Sequence, residues 1–268
     1  MDTANSIEYG NLHHQSTTWS NMIQLYQQGR ISATLTGSPC ETWSAARHHV
    51  LTAEELKGRS NHHLPRPLRD SDRVFGRRYL RPRELRQLQQ GTFFFMQTLI
   101  TLAWSLITGG LYLSEHPGLP TLAEAASVWK TPWLCLLCKH PEVILHHIRQ
   151  WRWGCTVSKP TGLLAMRLPK FRSSMYSRQA PDAVVPTDTA IGIGSDGHFC
   201  TSAHKEYPPH LCDALAGTLI DELATRSSKG TSQLKWDDNS DLLTWLREAS
   251  HQCGKAHSRG WLPDYQGG

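Results

Sequence analysis

The chain has 268 residues, with 39% hydrophobic side chains, 19% charged ones and a formal net charge of +5. A sizeable core is within reach, and the composition excludes global disorder, collagen, coiled-coil and low-complexity architectures; no self-similarity appears at solenoid or propeller periods. Seven cysteines, odd in number and widely spaced, do not make a disulfide framework, and residues 1–29 lack a basic-then-apolar leader, so a reducing, intracellular setting is expected.

In chain order, residues 1–15 are polar and carry no pattern. Thr18–Gln28 places Trp19, Met22, Ile23 and Tyr26 at helical spacing, and Gly29 closes that helix. Ile31–Thr36 reads as a short buried strand that runs into Gly37-Ser38-Pro39-Cys40. Residues 57–82 hold prolines, glycines and histidines and read as a long loop. Arg83–Thr108 reads as one helix whose second half is strongly apolar. Gln97 and several Thr and Ser residues interrupt that run, which favours packing against a sheet over a membrane span. Strands are predicted at Leu111–Ser114, Val143–Ile148 and Leu163–Arg167, and a hairpin at Ala190–Gly194 and His198–Thr201 turned by Asp196-Gly197. Pro208–Ala224 is a helix with Leu211, Leu215, Leu219 and Leu223 on one face, and Asp241–Gln252 a last amphipathic helix. Helices alternating with short apolar strands predict an α/β sandwich with a mostly parallel sheet, occupying 16–225 between an N-terminal segment (1–15) and a C-terminal helix and tail (226–268).

The charge is not spread evenly. Between Lys57 and Arg86 lie ten basic residues against Asp70, Asp72 and Glu84, while the rest of the chain is nearly neutral. Nine of the ten are arginines, which suit bidentate phosphate contact, so this segment reads as a nucleic-acid surface. Arg59, Arg66, Arg69, Arg77, Arg78 and Arg152 are the expected contacts.

Two segments carry candidate chemistry. Cys40 comes after a strand, in a turn fixed by Pro39 and ahead of a predicted helix, a placement that suits a nucleophile with a stabilised thiolate. Glu115, in Ser114-Glu115-His116-Pro117, ends another apolar strand and faces the same crevice if the two strands are neighbours. Cys135-Leu136-Leu137-Cys138 with His140 lacks a second ligand pair and reads as a buried helix rather than a zinc site.

Taken together, these segments resemble the DNA cytosine-5 methyltransferase family. Pro39, Cys40, Trp43 and Ser44 match its catalytic turn, with Glu41 in place of the usual Gln; Glu115 matches the glutamate of its Glu-Asn-Val. Trp153–Thr161 with Leu163–Met166 after it is similar to its Gln-x-Arg-x-Arg stretch and strand, with Lys159 at the first arginine and Arg152 as a competing placement. Lys205-Glu206-Tyr207-Pro208-Pro209 ahead of a helix resembles its closing motif. The resemblance implies Cys40 as the nucleophile in a turn shaped by Pro39, Glu115 as the group that hydrogen-bonds the base, and Lys159 as a group that holds base or adduct. It also implies S-adenosylmethionine as cofactor, beside Gly37, Ser38, Tyr207 and Pro208, and DNA as partner, with RNA left open and a nuclear location if the DNA is chromosomal. The family's opening glycine-rich loop has no match ahead of Cys40, and the stretch between Lys159 and Lys205 is short for a target-recognition region. Two other readings stand beside it: a non-catalytic relative that binds nucleic acid, and, ranked lower, a membrane-attached protein using Phe93–Ile107.

Overall fold

A computed structural model describes residues 17–56, 66–187, 191–192 and 206–227. The predicted hairpin lies almost wholly outside them, and the predicted last helix and Arg59 lie wholly outside.

Helix α1 (Thr17–Gln27) leads into strand β1 (Ala33–Gly37), and Gly29 makes the turn between them at φ +64°. After the short α2 (Ala53–Leu56) and the arginine-rich loop comes α3 (Pro82–Thr108), then β2 (Leu111–Pro117), α4 (Pro132–Leu137), β3 (Val143–Arg149), β4 (Pro160–Met166), α5 (Phe171–Tyr176) and α6 (Pro209–Ser227). Pro82 supplies a preset φ at the start of α3, and the Glu84 side chain accepts from the Arg81 backbone N–H at 2.7 Å. Gly109 ends the helix in the left-handed region.

The four strands lie in the order β1-β2-β4-β3. Only β1 and β2 pair in parallel; β4 is antiparallel to both β2 and β3. The expected mostly parallel sheet is therefore corrected to a mixed one. Connection length is the cause: α3 crosses over between β1 and β2, whereas the short segment from Arg149 to Pro160 can only turn the chain back. β4 then fills the gap between β2 and β3, and three strands share one direction with β4 reversed.

Helices cover both faces of this sheet, and alternation along the strands sets which residue meets which layer. Tyr112, Leu164 and Met166 join Leu99, Leu102 and Leu106 of α3 in one core. Leu111, Leu113, Leu163 and Ala165 face α5 and α6 in a second. Helix α3 is long and apolar enough to cross a membrane by length and composition, yet 67% of its most apolar window is buried in the fold. At its C-terminal end Arg167 donates to the carbonyls of Ser105 (2.9 Å), Leu106 (2.8 Å) and Gly110 (3.2 Å) and pairs with Glu142 at 2.7 Å. That guanidinium satisfies carbonyls the helix itself leaves open.

Candidate functional site

The pairing of β1 with β2 builds the site. Gly37, the last residue of β1, lies opposite Glu115 in β2. The chain then turns through Ser38, Pro39 and Cys40, and the Trp43 N–H donates to the Cys40 carbonyl at 2.9 Å. Thr42 and Trp43 are buried and anchor the far side of this turn. Cys40 itself is half-buried at the ends of the two strands. Glu115 is 5% exposed and shares the sheet face of Leu111 and Leu113, where α6 packs.

Two more groups come from distant segments. Tyr207, just ahead of α6, donates its hydroxyl to Oε2 of Glu115. Lys159, just ahead of β4, holds its Nζ 5.3 Å from the centre of the Tyr207 ring. Burial pushes the Cys40 thiol up, the Glu115 charge pushes it further, and Lys159 opposes both. Burial likewise raises Glu115, against the Tyr207 hydrogen bond and the Lys159 charge. Tyr207 is raised by burial and by Glu115, so it stays a neutral donor. The expected stabilised thiolate is corrected: the only helical structure close behind Cys40 is a single turn at Ala45–His48, and it does not offset burial beside a carboxylate.

The structure thus gathers Cys40, Glu115, Lys159 and Tyr207, with Pro39 exposed in the turn between β1 and Cys40. Arg152 takes no part; its guanidinium lies over Trp151 (4.9 Å) and Tyr176 (6.0 Å). Lys159 is the placement the geometry favours. His116, next to Glu115, faces the opposite side of the sheet, edge-on to Trp43 and to Trp129 at 6.2 Å each. Burial, with Arg69 adding to it, pulls His116 down to about 3, so it is neutral at physiological pH.

The arginine expectations need more correction. Arg69 is buried, not a surface contact. It lies 3.9 Å over the Trp43 ring and donates to Thr42 Oγ1 (3.2 Å), the Val74 carbonyl (2.6 Å), the Leu88 carbonyl (3.2 Å) and Thr92 Oγ1 (2.8 Å). Arg66 grips both oxygens of Glu84 at 2.7 and 2.6 Å and donates to the Tyr79 carbonyl, which pins the loop to the start of α3. Arg77 pairs with Asp70 at 3.2 Å on the surface, and Arg78 is exposed. Exposed basic residues that the expected contacts omitted are Arg73, Arg81, Arg83 and Arg86, beside an exposed Tyr79.

Among the expected cofactor contacts, the structure bears most directly on Gly37. A Cβ on Gly37 would stand 2.9 Å from the Tyr207 hydroxyl, so the room over Gly37 belongs to Tyr207. The Pro208 carbonyl accepts from Leu211 and Cys212 and opens α6. None of the described loops supplies the glycine-rich turn that the resemblance implies. Among the described residues no three His, Cys, Asp or Glu side chains group as metal ligands. Cys135 lies on α4 and Cys138 just past it, and the helix is half-exposed rather than buried, with Leu134 and Leu137 inward and Cys135 and Leu136 outward. No protein-family model, curated protein or solved structure matches this chain.

Proposed function

We propose that this chain performs cysteine-mediated addition to cytosine in DNA, the chemistry of a cytosine-5 methyltransferase. The observation that carries the reading is the register of β1 with β2, which sets the Cys40 turn beside Glu115, while the pairing of β2 with β4 brings Lys159 to act on both. In the step we assign to these residues, the Cys40 thiol proton leaves to the Glu115 carboxylate, the group whose charge the thiol senses most strongly. The sulfur bonds to carbon 6 of the base. The carbon 5–carbon 6 π pair shifts toward the ring nitrogen at position 3, which takes the proton from Glu115. Lys159 offsets charge as it moves. Carbon 5 is then an enamine-type nucleophile. The base must leave the duplex to reach such a buried carboxylate.

The exposed arginines Arg73, Arg77, Arg78, Arg81, Arg83 and Arg86 supply the phosphate surface, with Arg66 pinning the loop to Glu84 at the surface and Arg69 holding it from within. A second reading, a nucleic-acid-binding protein without catalysis, is favoured by one observation: the thiol is pushed up rather than down. Transfer of labelled methyl from S-adenosylmethionine to cytosine in duplex DNA separates the two. Label in 5-methylcytosine that Cys40→Ala abolishes supports methylation; folded protein that transfers none overturns it. The second reading then predicts salt-dependent binding that Cys40→Ala leaves intact. In that case Arg81, Arg83 and Arg86 to alanine flattens the log affinity–log salt slope by about 0.9 for each duplex phosphate no longer neutralised.

A further inference from the structure

Tyr207 stands where the chain gives up a side chain to admit it. Gly37 has no positive φ, so its backbone does not require glycine. The requirement is space: a Cβ there would stand 2.9 Å from the Tyr207 hydroxyl. That hydroxyl donates to Glu115, the strand partner of Gly37. The ring packs against the core that holds Leu113 and the fully buried Leu211 of α6, and Lys159 approaches the ring at 5.3 Å. Three segments far apart in sequence converge on one carboxylate.

We propose that Tyr207 is a positioning residue: its hydroxyl holds Glu115 as an oriented carboxylate and, through that carboxylate, restrains the Cys40 thiol. The role rests on the Cys40–Glu115 reading of the site and adds a resting state to it. With Glu115 charged, the thiol keeps its proton and resists stray electrophiles. When the proton moves to Glu115, the nucleophile and the proton donor for the base are formed together.

The charged groups around the thiol fix the sign. Glu115 and, more weakly, Glu41 disfavour the thiolate; Lys159 favours it. Tyr207 itself senses Glu115, Cys40 and Cys212, all of which keep it protonated. A donated hydrogen bond favours the charged carboxylate and so opposes the burial of Glu115. Remove the hydroxyl and only Lys159 still supports the charge, so Glu115 takes up a proton at higher pH than before. The negative charge beside Cys40 is then present over less of the pH range, and the thiolate forms more readily there.

The test is the pH profile of iodoacetamide alkylation at Cys40, read from the mass of the peptide that carries it, between about pH 6 and 10. It uses the whole chain and needs neither nucleic acid nor methyl donor. Tyr207→Phe is expected to move the midpoint down by about one pH unit, which raises the rate near neutral pH up to about tenfold. Glu115→Gln should move it the same way, and the double variant no further than Glu115→Gln alone. Gly37→Ala, which pushes the hydroxyl off Glu115 without deleting it, should reproduce the shift and serves if Tyr207→Phe fails to fold. A midpoint unchanged or raised in both Tyr207→Phe and Gly37→Ala overturns the role, as does a double variant whose shift is the sum of the two. The cytosine chemistry can fail without altering this profile, so the two claims fall separately.

Discussion

Arg69→Ala is expected to cost about 3–5 kcal/mol of stability, from buried acceptors left without a donor and from the cavity, a large share of the roughly 5–15 kcal/mol that holds a typical domain together. Arg69 is 1% exposed, and no carboxylate among the described residues pairs with it. Burial lowers it to about 9, which still leaves it charged at neutral pH. Four donated hydrogen bonds and the Trp43 ring offset the cost of burying that charge. Truncation leaves the Val74 and Leu88 carbonyls without the guanidinium, opens a void beside Trp43, and frees Thr42 at the root of the Cys40 turn. Gly91 of α3 shows how tightly that root is held, since a Cβ on it would run into Thr42 Oγ1. The measurement is the denaturant midpoint at unchanged slope, with Arg69→Lys expected to fall between the wild type and alanine, because an ammonium cannot reach four partners as a planar fork does. Had Arg69 been a phosphate contact, alanine would weaken nucleic-acid binding and leave the midpoint where it is.

Glu115→Gln is expected to slow the chemistry at cytosine by about 10²–10⁴-fold. Glutamine is nearly the same shape and can still accept from Tyr207, so the fold should hold. It cannot take the thiol proton and pass it to the base. The same variant should make Cys40 easier to alkylate, because the charge that raises the thiol is gone. Faster alkylation with slower cytosine chemistry is a split that a damaged fold would not produce. Both rates falling together would remove Glu115 from the mechanism and leave it a structural carboxylate.

Much of this was legible in the sequence, and for identifiable reasons. Helix α3 and strands β1 and β2 announce themselves through local periodicity and through Gly29 and Gly109, which end the preceding helices. Cys40 was expected just past one strand and Glu115 at the end of another; the structure extends β2 to Pro117 and places Glu115 within it, opposite the last residue of β1, so their approach needed only that β1 and β2 be neighbours. The reversal of β4 was not legible from its composition: a central strand buried on both faces, such as Leu163-Leu164-Ala165-Met166, looks apolar whichever way it runs. Arg69 was indistinguishable from its neighbours in a run of arginines, because its burial is decided by Trp43, Thr42, Leu88 and Thr92, which only the fold brings to it. Tyr207 carries no local sign of its task either. Its partners Gly37 and Glu115 lie far back in the chain, and a glycine at the end of a strand ordinarily reads as a turn residue.

The most direct test of Cys40 and Glu115 as a cytosine-activating pair is exchange of the carbon 5 hydrogen of cytosine with solvent. Addition of the thiol to carbon 6 makes carbon 5 basic, so it takes up a proton from water before the sulfur leaves again, and no methyl donor is needed. With duplex DNA labelled with tritium at that position, the wild-type chain is predicted to release the label into water, and Cys40→Ala to release none. Folded wild-type protein that binds the DNA and releases no label would contradict the account.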